Sequence, residues 1–294
     1  MEDSKQKIIN AAKQYATYIV ENIPQKSTEG EVKYYFSGSL AMLLLSSAET
    51  IKSSFLDGKG RFVGRANEIV VSKKAKDALL QGVRNIGIDV DVVTIDDNCF
   101  DGMGKIYNLS TVRQNCDLAT KLCPAWGKHN GTMYFDMLSD ERKITGHDVA
   151  EIITKDGNRV YVSSPISLIM HKFADTIVCL TAMQRYKRKD HINLEGLREE
   201  SEKYVKDISD FTSMFNCVVS IYPLLDFEGF IKHTLEMCPQ TAFSRVLTDD
   251  NSQAMIKLFI NDAKGLVDDK GAFLDFARAI TSENERLVNG GRGI

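Results

Sequence analysis

Residues 34–45, YYFSGSLAMLLL, predict a short strand that runs through a turn at Gly38 and Ser39 into an apolar helix. The first backbone N–H groups of a helix have no partner within the helix, and they can therefore hold a phosphate group. The glycine and serine at this turn predict a phosphate-binding site.

A second stretch, IDVDVV at 88–93, contains two aspartates within an apolar strand pattern. Side chains two positions apart in a strand lie on the same face, so Asp89 and Asp91 are expected side by side. Two neighbouring carboxylates repel each other unless a cation lies between them, and magnesium prefers oxygen ligands. Together with the phosphate turn, this pattern predicts a magnesium-dependent nucleotide site.

A third acid, Asp136, lies in the alternating stretch TMYFDML at 132–138. The alternation predicts another strand, with Tyr134, Asp136 and Leu138 on one face. A third carboxylate on a neighbouring strand would complete the metal site. Between the two acidic strands, we predict an acidic loop at 96–104 and a helix at 110–122.

The order of the remaining patterns predicts a mixed α/β sheet flanked by helices. We expect further strands at 32–36, 68–71, 149–154 and 159–162, and helices at 4–22, 40–55 and 73–87. The sequence KDGN at 155–158 is typical of a hairpin turn.

After Ser164 and Pro165, which predict the start of a helix, the periodicity is helical throughout. Helices are expected at 165–184, 194–205, 207–221, 226–237, 252–265 and 270–288. The chain thus predicts an α/β domain at 1–163 followed by a helical bundle at 164–294. The apolar run at 165–183 contains His171, Lys172 and Asp175, which favour a core helix over a membrane span.

The composition of the 294 residues excludes several classes of protein. A net charge of −3 argues against a generally basic nucleic-acid-binding surface. The six cysteines show no paired metal-binding spacing, and residues 1–20 lack the apolar core of a secretory signal. A cytoplasmic protein with reduced thiols is expected.

The Gly-Ser turn, the strand with two alternating aspartates and the later strand aspartate resemble the DNA polymerase β-like nucleotidyltransferase superfamily. Within that superfamily, SSPISLIMHKFADTIVCLTAMQRYKRKDHINL at 163–194 is similar to the abortive-infection toxin-type nucleotidyltransferases. Those proteins have a Lys-x-x-Ala helix before an Arg/Lys-Lys-Asp motif, and the resemblance covers about 32–194. Asn193 stands where the family pattern has a second aspartate.

The resemblance implies two magnesium ions, an NTP substrate and a role for each matching residue. Gly38 and Ser39 would contact the triphosphate, and Asp89 and Asp91 would bind both metals. Asp136 would be the third ligand and would deprotonate the acceptor hydroxyl. Lys172 would line the nucleotide pocket, and Asp190 would order the helix pair or assist catalysis. Displacement at the α-phosphate needs cations to neutralise the attacking and leaving oxygens.

The resemblance also implies the reaction, which is transfer of a nucleotide to a hydroxyl with release of pyrophosphate. The expected acceptor is tRNA or another RNA, with a protein side chain as second choice and an antitoxin protein as a further conceivable partner. The cluster of Arg185, Lys187, Arg188 and Lys189 around Tyr186 either binds an RNA backbone or forms a solvated helix end.

Two alternatives stay open from the sequence. In one, the first acid of the motif is Glu68, which puts Val70 in the place of the second acid and leaves a damaged metal site. That alternative leads to a non-catalytic interaction protein with the same fold. In the other, the protein is an antibiotic-type nucleotidyltransferase with a small-molecule acceptor.

Overall fold

The computed structural model divides the chain into two compact units, with the boundary between Pro165 and Ile166. The residues that it describes are 6, 9–10, 12–13, 16–17, 19–21, 23–53, 67–85, 90–94, 135–139, 149–187, 192–222, 224–237 and 242–290. For 53, 67, 84–85, 90–91, 94 and 135–139 it describes the backbone only. The predicted helix at 110–122 lies outside the described residues.

The first unit contains a mixed seven-stranded sheet, so the predicted α/β class is confirmed. Its strands are β1 (Tyr34–Ser37), β2 (Ala48–Ser53), β3 (Asn67–Val70), β4 (Val90–Thr94), β5 (Phe135–Ser139), β6 (Val149–Thr154) and β7 (Arg159–Ser163), and its helices are α1 (Gly38–Leu45) and α2 (Lys73–Asn85). The strands lie in the order β3-β2-β6-β7-β1-β4-β5. The pairs β1/β7 and β4/β5 are parallel, and the other pairs are antiparallel. The described residues between 6 and 21 are helical, as predicted.

Strand β1 lies inside the sheet, and its first three residues, Tyr34, Tyr35 and Phe36, are at most 1% exposed. Helix α1 follows directly, and every residue from Leu40 to Leu45 is buried. Burial of a large apolar side chain contributes about 1.5–3 kcal/mol. This strand and helix therefore anchor the core of the first unit and hold the turn at Gly38 in place.

The predicted helix at 40–55 is wrong in its second half. Helix α1 ends at Leu45, where the Ser46 hydroxyl donates to the Leu43 carbonyl at 2.6 Å, and β2 begins at Ala48. An apolar run that is buried on all sides carries no periodicity to mark its end. The β-branched pair Thr50 and Ile51 lies between β3 and β6, where pairing on both sides favours a strand.

The predicted hairpin at 155–158 is confirmed. The Thr154 amide donates to the Asn158 carbonyl at 2.9 Å, and Gly157 has a φ of 78°. Only glycine adopts such a φ without steric cost. Strands β6 and β7 therefore form an antiparallel pair joined by this turn.

The second unit is helical, as predicted. Its described helices are α3 (Pro165–Tyr186), α4 (Leu194–Ile221), α5 (Phe227–Met237), α6 (Ala242–Thr248), α7 (Ser252–Lys264) and α8 (Lys270–Gly290). The expectation of two helices at 194–205 and 207–221 is wrong, because α4 is continuous through Lys206. This junction contains neither proline nor glycine, and the predicted break had no local cause. Helix α6 was not predicted.

Phenylalanine side chains form the core of the second unit. Phe211 lies at ring-centroid distances of 4.8 Å from Phe259 and 5.6 Å from Phe276. Phe173 of α3 contacts Phe259 and Phe243 at 5.2 and 6.0 Å. Among the described helices, α3 alone is long and apolar enough to cross a bilayer, but 61% of its most apolar 18-residue segment is buried within the protein. This packing agrees with the predicted core helix.

Candidate active site

A row of four polar residues crosses four neighbouring strands of the first unit. Ser37 on β1 pairs with Asp91 on β4, and Asp91 pairs with Asp136 on β5. Ser163 extends the row on β7, because the preceding Val162 pairs with Phe36. Neighbouring strands lie about 4.8 Å apart, so Ser37 and Asp136 are separated by about 10 Å along the sheet.

The two serines of the row are buried and joined by a hydrogen bond. The Ser163 hydroxyl donates to the Ser37 Oγ at 2.9 Å, and these two residues are 0% and 7% exposed. Since each hydroxyl finds a partner in the other, neither pays the full cost of burial. The bond joins β7 to β1 at the point where the chain turns into α1.

Helix α1 begins at Gly38, whose φ of 56° lies in the left-handed region that favours glycine. Ser37 is its N-cap residue but makes no side-chain capping bond, and the first turn contains no acidic residue. The N-terminus of a helix carries a partial positive charge. An uncapped helix end of this kind lies beside the strand position of Asp91, and it could bind a phosphate.

The predicted metal ligands fall partly outside the described residues. Asp89 lies outside them, while Asp91 and Asp136 are described in their backbone. Among the described side chains, no group of three His, Cys, Asp or Glu residues could hold a metal, but the predicted ligands are not in that set. Register partners in a sheet lie on the same face. The backbone therefore gives two carboxylate-bearing residues a shared position beside a helix N-terminus, which suits magnesium.

The alternative motif places its first acid at Glu68 of β3, which pairs with Lys52 of β2. Three strands, β2, β6 and β7, lie between β3 and β1. Glu68 is therefore separated from the turn at Gly38 by about 19 Å of sheet. In this arrangement Asp91, and not Glu68, is the strand acid next to the Gly-Ser turn.

Lys172, the predicted nucleotide-pocket lysine, contacts carboxylates of the second unit. Its ammonium lies 3.1 Å from Asp207, 3.7 Å from Asp210 and 3.8 Å from Asp175. Burial by itself lowers the pKa of Lys172, but these carboxylates outweigh it and the pKa is raised. The lysine thus has an internal ion-pairing role, and its contact with a nucleotide stays a prediction.

The remaining predicted positions lie around the junction of α3 and α4. Asp190, Arg188 and Lys189 are outside the described residues, whereas Arg185 and Lys187 are exposed at the end of α3. Cations at a helix C-terminus interact favourably with the helix dipole, so these two charges can stabilise the end of α3 without binding RNA. Asn193 caps α4 by accepting a hydrogen bond from the Gly196 amide at 3.0 Å.

Two groups of buried polar residues were not predicted from the sequence. Ser163 was not among the predicted site residues, and nothing in its local sequence indicated a bond to Ser37. Asp207 and Asp210, in contrast, are both buried and stand three positions apart in an otherwise amphipathic helix. Acidic residues on the apolar face of a helix could have indicated a buried cation nearby.

Comparison with family models, with curated proteins and with solved structures found no match to this chain.

Proposed function

We propose that the first unit is a magnesium-dependent nucleotidyltransferase domain that moves a nucleotide from an NTP to a hydroxyl group. The observation that supports this proposal is the register of Ser37, Asp91 and Asp136 on adjacent strands. In this register the backbone of Asp91 lies on the strand next to the uncapped N-terminus of α1, where a triphosphate could be held, and that of Asp136 lies one strand further. Asp91 of β4 and Asp136 of β5 are register partners, and two neighbouring carboxylates repel each other unless a cation lies between them.

In this proposal the N–H groups at Gly38 and Ser39 hold the triphosphate. Asp89, Asp91 and Asp136 would hold magnesium, which would supply positive charge to neutralise the attacking and leaving oxygens. The acceptor oxygen forms a bond to the α-phosphorus, the bond to the bridging oxygen breaks, and pyrophosphate leaves. The proton of the acceptor hydroxyl passes to Asp136. An RNA end is the first acceptor to test, and a protein side chain is the second.

The proposal can be tested with NTPs labelled at the α-phosphate, incubated with magnesium and either total tRNA or cellular protein. Label should enter one of these pools with the wild-type protein. The substitutions Asp91→Asn and Asp136→Asn should each reduce transfer at least about a hundred-fold, because each removes a ligand that neutralises transition-state charge. Asp77→Asn, at an exposed position on α2, serves as the matched control and should leave transfer unchanged.

Calorimetric titration of each NTP separates binding from transfer. Binding that requires magnesium and disappears in the Asp89→Ala/Asp91→Ala variant would support the site even before the acceptor is known. Circular dichroism must show that the variants are folded. If the folded wild-type protein binds no NTP, the proposed activity is wrong, and a non-catalytic interaction protein becomes the better interpretation.

A further inference from the structure

A cavity of about 380 Å³ lies in the first unit, between the N-terminal helical residues and the turn between β6 and β7. Its volume is in the range of small-molecule sites. Leu44, near the end of α1, lines it, and this position is about 9 Å of helix rise beyond Gly38. The cavity is therefore separate from the proposed nucleotide site at the start of α1.

The wall of the cavity is largely apolar. Lys13, Ala16, Thr17, Val20 and Glu21 line one side, and their spacing corresponds to one face of a helix. Leu44 of α1 and Val160 of β7 contribute further apolar surface and are 6% and 7% exposed. A ligand with an apolar body would replace water against these side chains, which is favourable.

The charged groups around the cavity differ in exposure. Glu21, Lys155, Asp156 and Arg159 are exposed, and Arg159 already pairs with Glu151 at 3.1 Å. Exposed charges are screened by water and salt. Lys13 is partly buried, and within the described part of the chain no carboxylate lies at ion-pair distance from its ammonium.

The pKa of Lys13 agrees with this geometry. It is lowered by burial, and no neighbouring carboxylate raises it. A partly buried ammonium without a counter-ion gains most from an anion that enters the same space. The cavity thus offers one partly buried cation and an apolar wall.

We infer that this cavity binds a small carboxylate with an apolar body, and that Lys13 holds the carboxylate while Ala16, Val20, Leu44 and Val160 contact the apolar part. The ammonium donates hydrogen bonds to the carboxylate oxygens. The inference does not rest on the proposed transferase activity, because no residue of the nucleotide site takes part.

Titration calorimetry with octanoate, in the absence of nucleotide, tests the inference on the full chain. Octanoate should bind saturably with one site per chain. Acetate, which lacks the apolar body, and octan-1-ol, which lacks the charge, should each bind at least about ten-fold more weakly, since each loses one of the two contributions.

Variants locate the site. Lys13→Met should weaken octanoate binding about ten-fold, while Lys13→Arg should retain it and Lys74→Met, an exposed lysine on α2, should not change it. If Lys13→Met fails to fold, Val20→Trp replaces it, because the larger side chain should fill the cavity and abolish binding. The inference is overturned if octanoate does not bind saturably, if acetate binds equally well, or if the folded variants at Lys13 and Val20 bind octanoate as the wild type does.

Discussion

The Lys172 ammonium lies 3.1 Å from Oδ1 of Asp207, a carboxylate on the next helix of the bundle. Asp210, one turn further along α4, lies 3.7 Å from the same ammonium. The other oxygen of Asp207 accepts a hydrogen bond from the Cys179 thiol at 3.6 Å. The side chains of Asp207 and Asp210 are only 5% and 4% exposed, so one lysine balances two buried acids.

Replacement of this lysine by methionine should destabilise the protein. Lys172→Met keeps the apolar stem and removes the charge, which leaves two buried carboxylates without their cation. The expected loss in the free energy of unfolding is about 3 kcal/mol at pH 7, measured by urea denaturation. The control is Lys257→Met, at an exposed position on α7, which should change the value by less than about 0.5 kcal/mol. Equal stability of the two variants would contradict the role assigned to Lys172.

The stability should depend on pH through Asp210. Burial raises the pKa of this carboxyl from 3.8 to about 6, although Lys172 and Lys206 lower it. The folded state therefore binds the proton more tightly than the unfolded chain does. The contribution of this proton to the free energy of unfolding is greatest below about pH 4. It falls by roughly 2–3 kcal/mol as the pH rises to about 6.

Urea denaturation between pH 4 and 7.5 measures this dependence. The wild type and Asp275→Asn, at an exposed position, should both lose stability over the interval relative to Asp210→Asn. Asp175, whose pKa is also raised mainly by burial, should contribute in the same direction in all three proteins. A wild-type curve parallel to that of Asp210→Asn would show that Asp210 does not titrate in this range.

Gln25 should stabilise the contact between its loop and strand β7. It is 4% exposed, donates to the Tyr161 carbonyl at 2.9 Å and accepts from the Tyr161 amide at 2.8 Å. Gln25→Leu leaves these backbone groups buried without partners and should cost about 2–3 kcal/mol. Amide hydrogen exchange at Tyr161 should become faster, whereas Gln81→Leu, at an exposed position on α2, should leave it unchanged. An unaltered exchange rate in Gln25→Leu would contradict this assignment.

Phe211 should be a sensitive position in the core of the helical bundle. It is fully buried, and four rings lie within 6.5 Å of its own, those of Phe215, Phe259, Phe273 and Phe276. Phe211→Ala should lower the free energy of unfolding by about 3–5 kcal/mol through the cavity that it leaves. Leu266→Ala, at a residue that is 54% exposed, should cost less than about 0.5 kcal/mol. Similar losses for the two substitutions would contradict a central position for Phe211.

Local chemistry accounts for the parts of the fold that could be predicted. Gly157 lies in a turn whose φ requires glycine, and Pro165 begins α3 because its missing N–H has no role there. Ser72 accepts a hydrogen bond from the Ala75 amide at 3.2 Å and so marks the start of α2. Each of these signals acts within a few residues of chain and can be read without the tertiary structure.

The candidate site was predictable in its components but not in its arrangement. The patterns around Gly38, Asp91 and Asp136 indicated a turn and two strands, each of which is present. Their neighbourhood depends on the strand order, in which β4 lies between β1 and β5. Sequence distance carries no information about this order, which is why Glu68 could compete with the two aspartates as the acid of the site.

The sequence by itself determined the α/β sheet, the change to a helical bundle at Pro165, the hairpin at Gly157 and the turn at Gly38, because periodicity, capping and φ preference are local properties. Only the tertiary structure decided that the chain from Ala48 to Ser53 is a strand, that Ser37, Asp91 and Asp136 share one row, and that Lys172 pairs with Asp207. These outcomes depend on pairing and burial between segments far apart in the chain, where the gain from long-range contacts outweighs local preference.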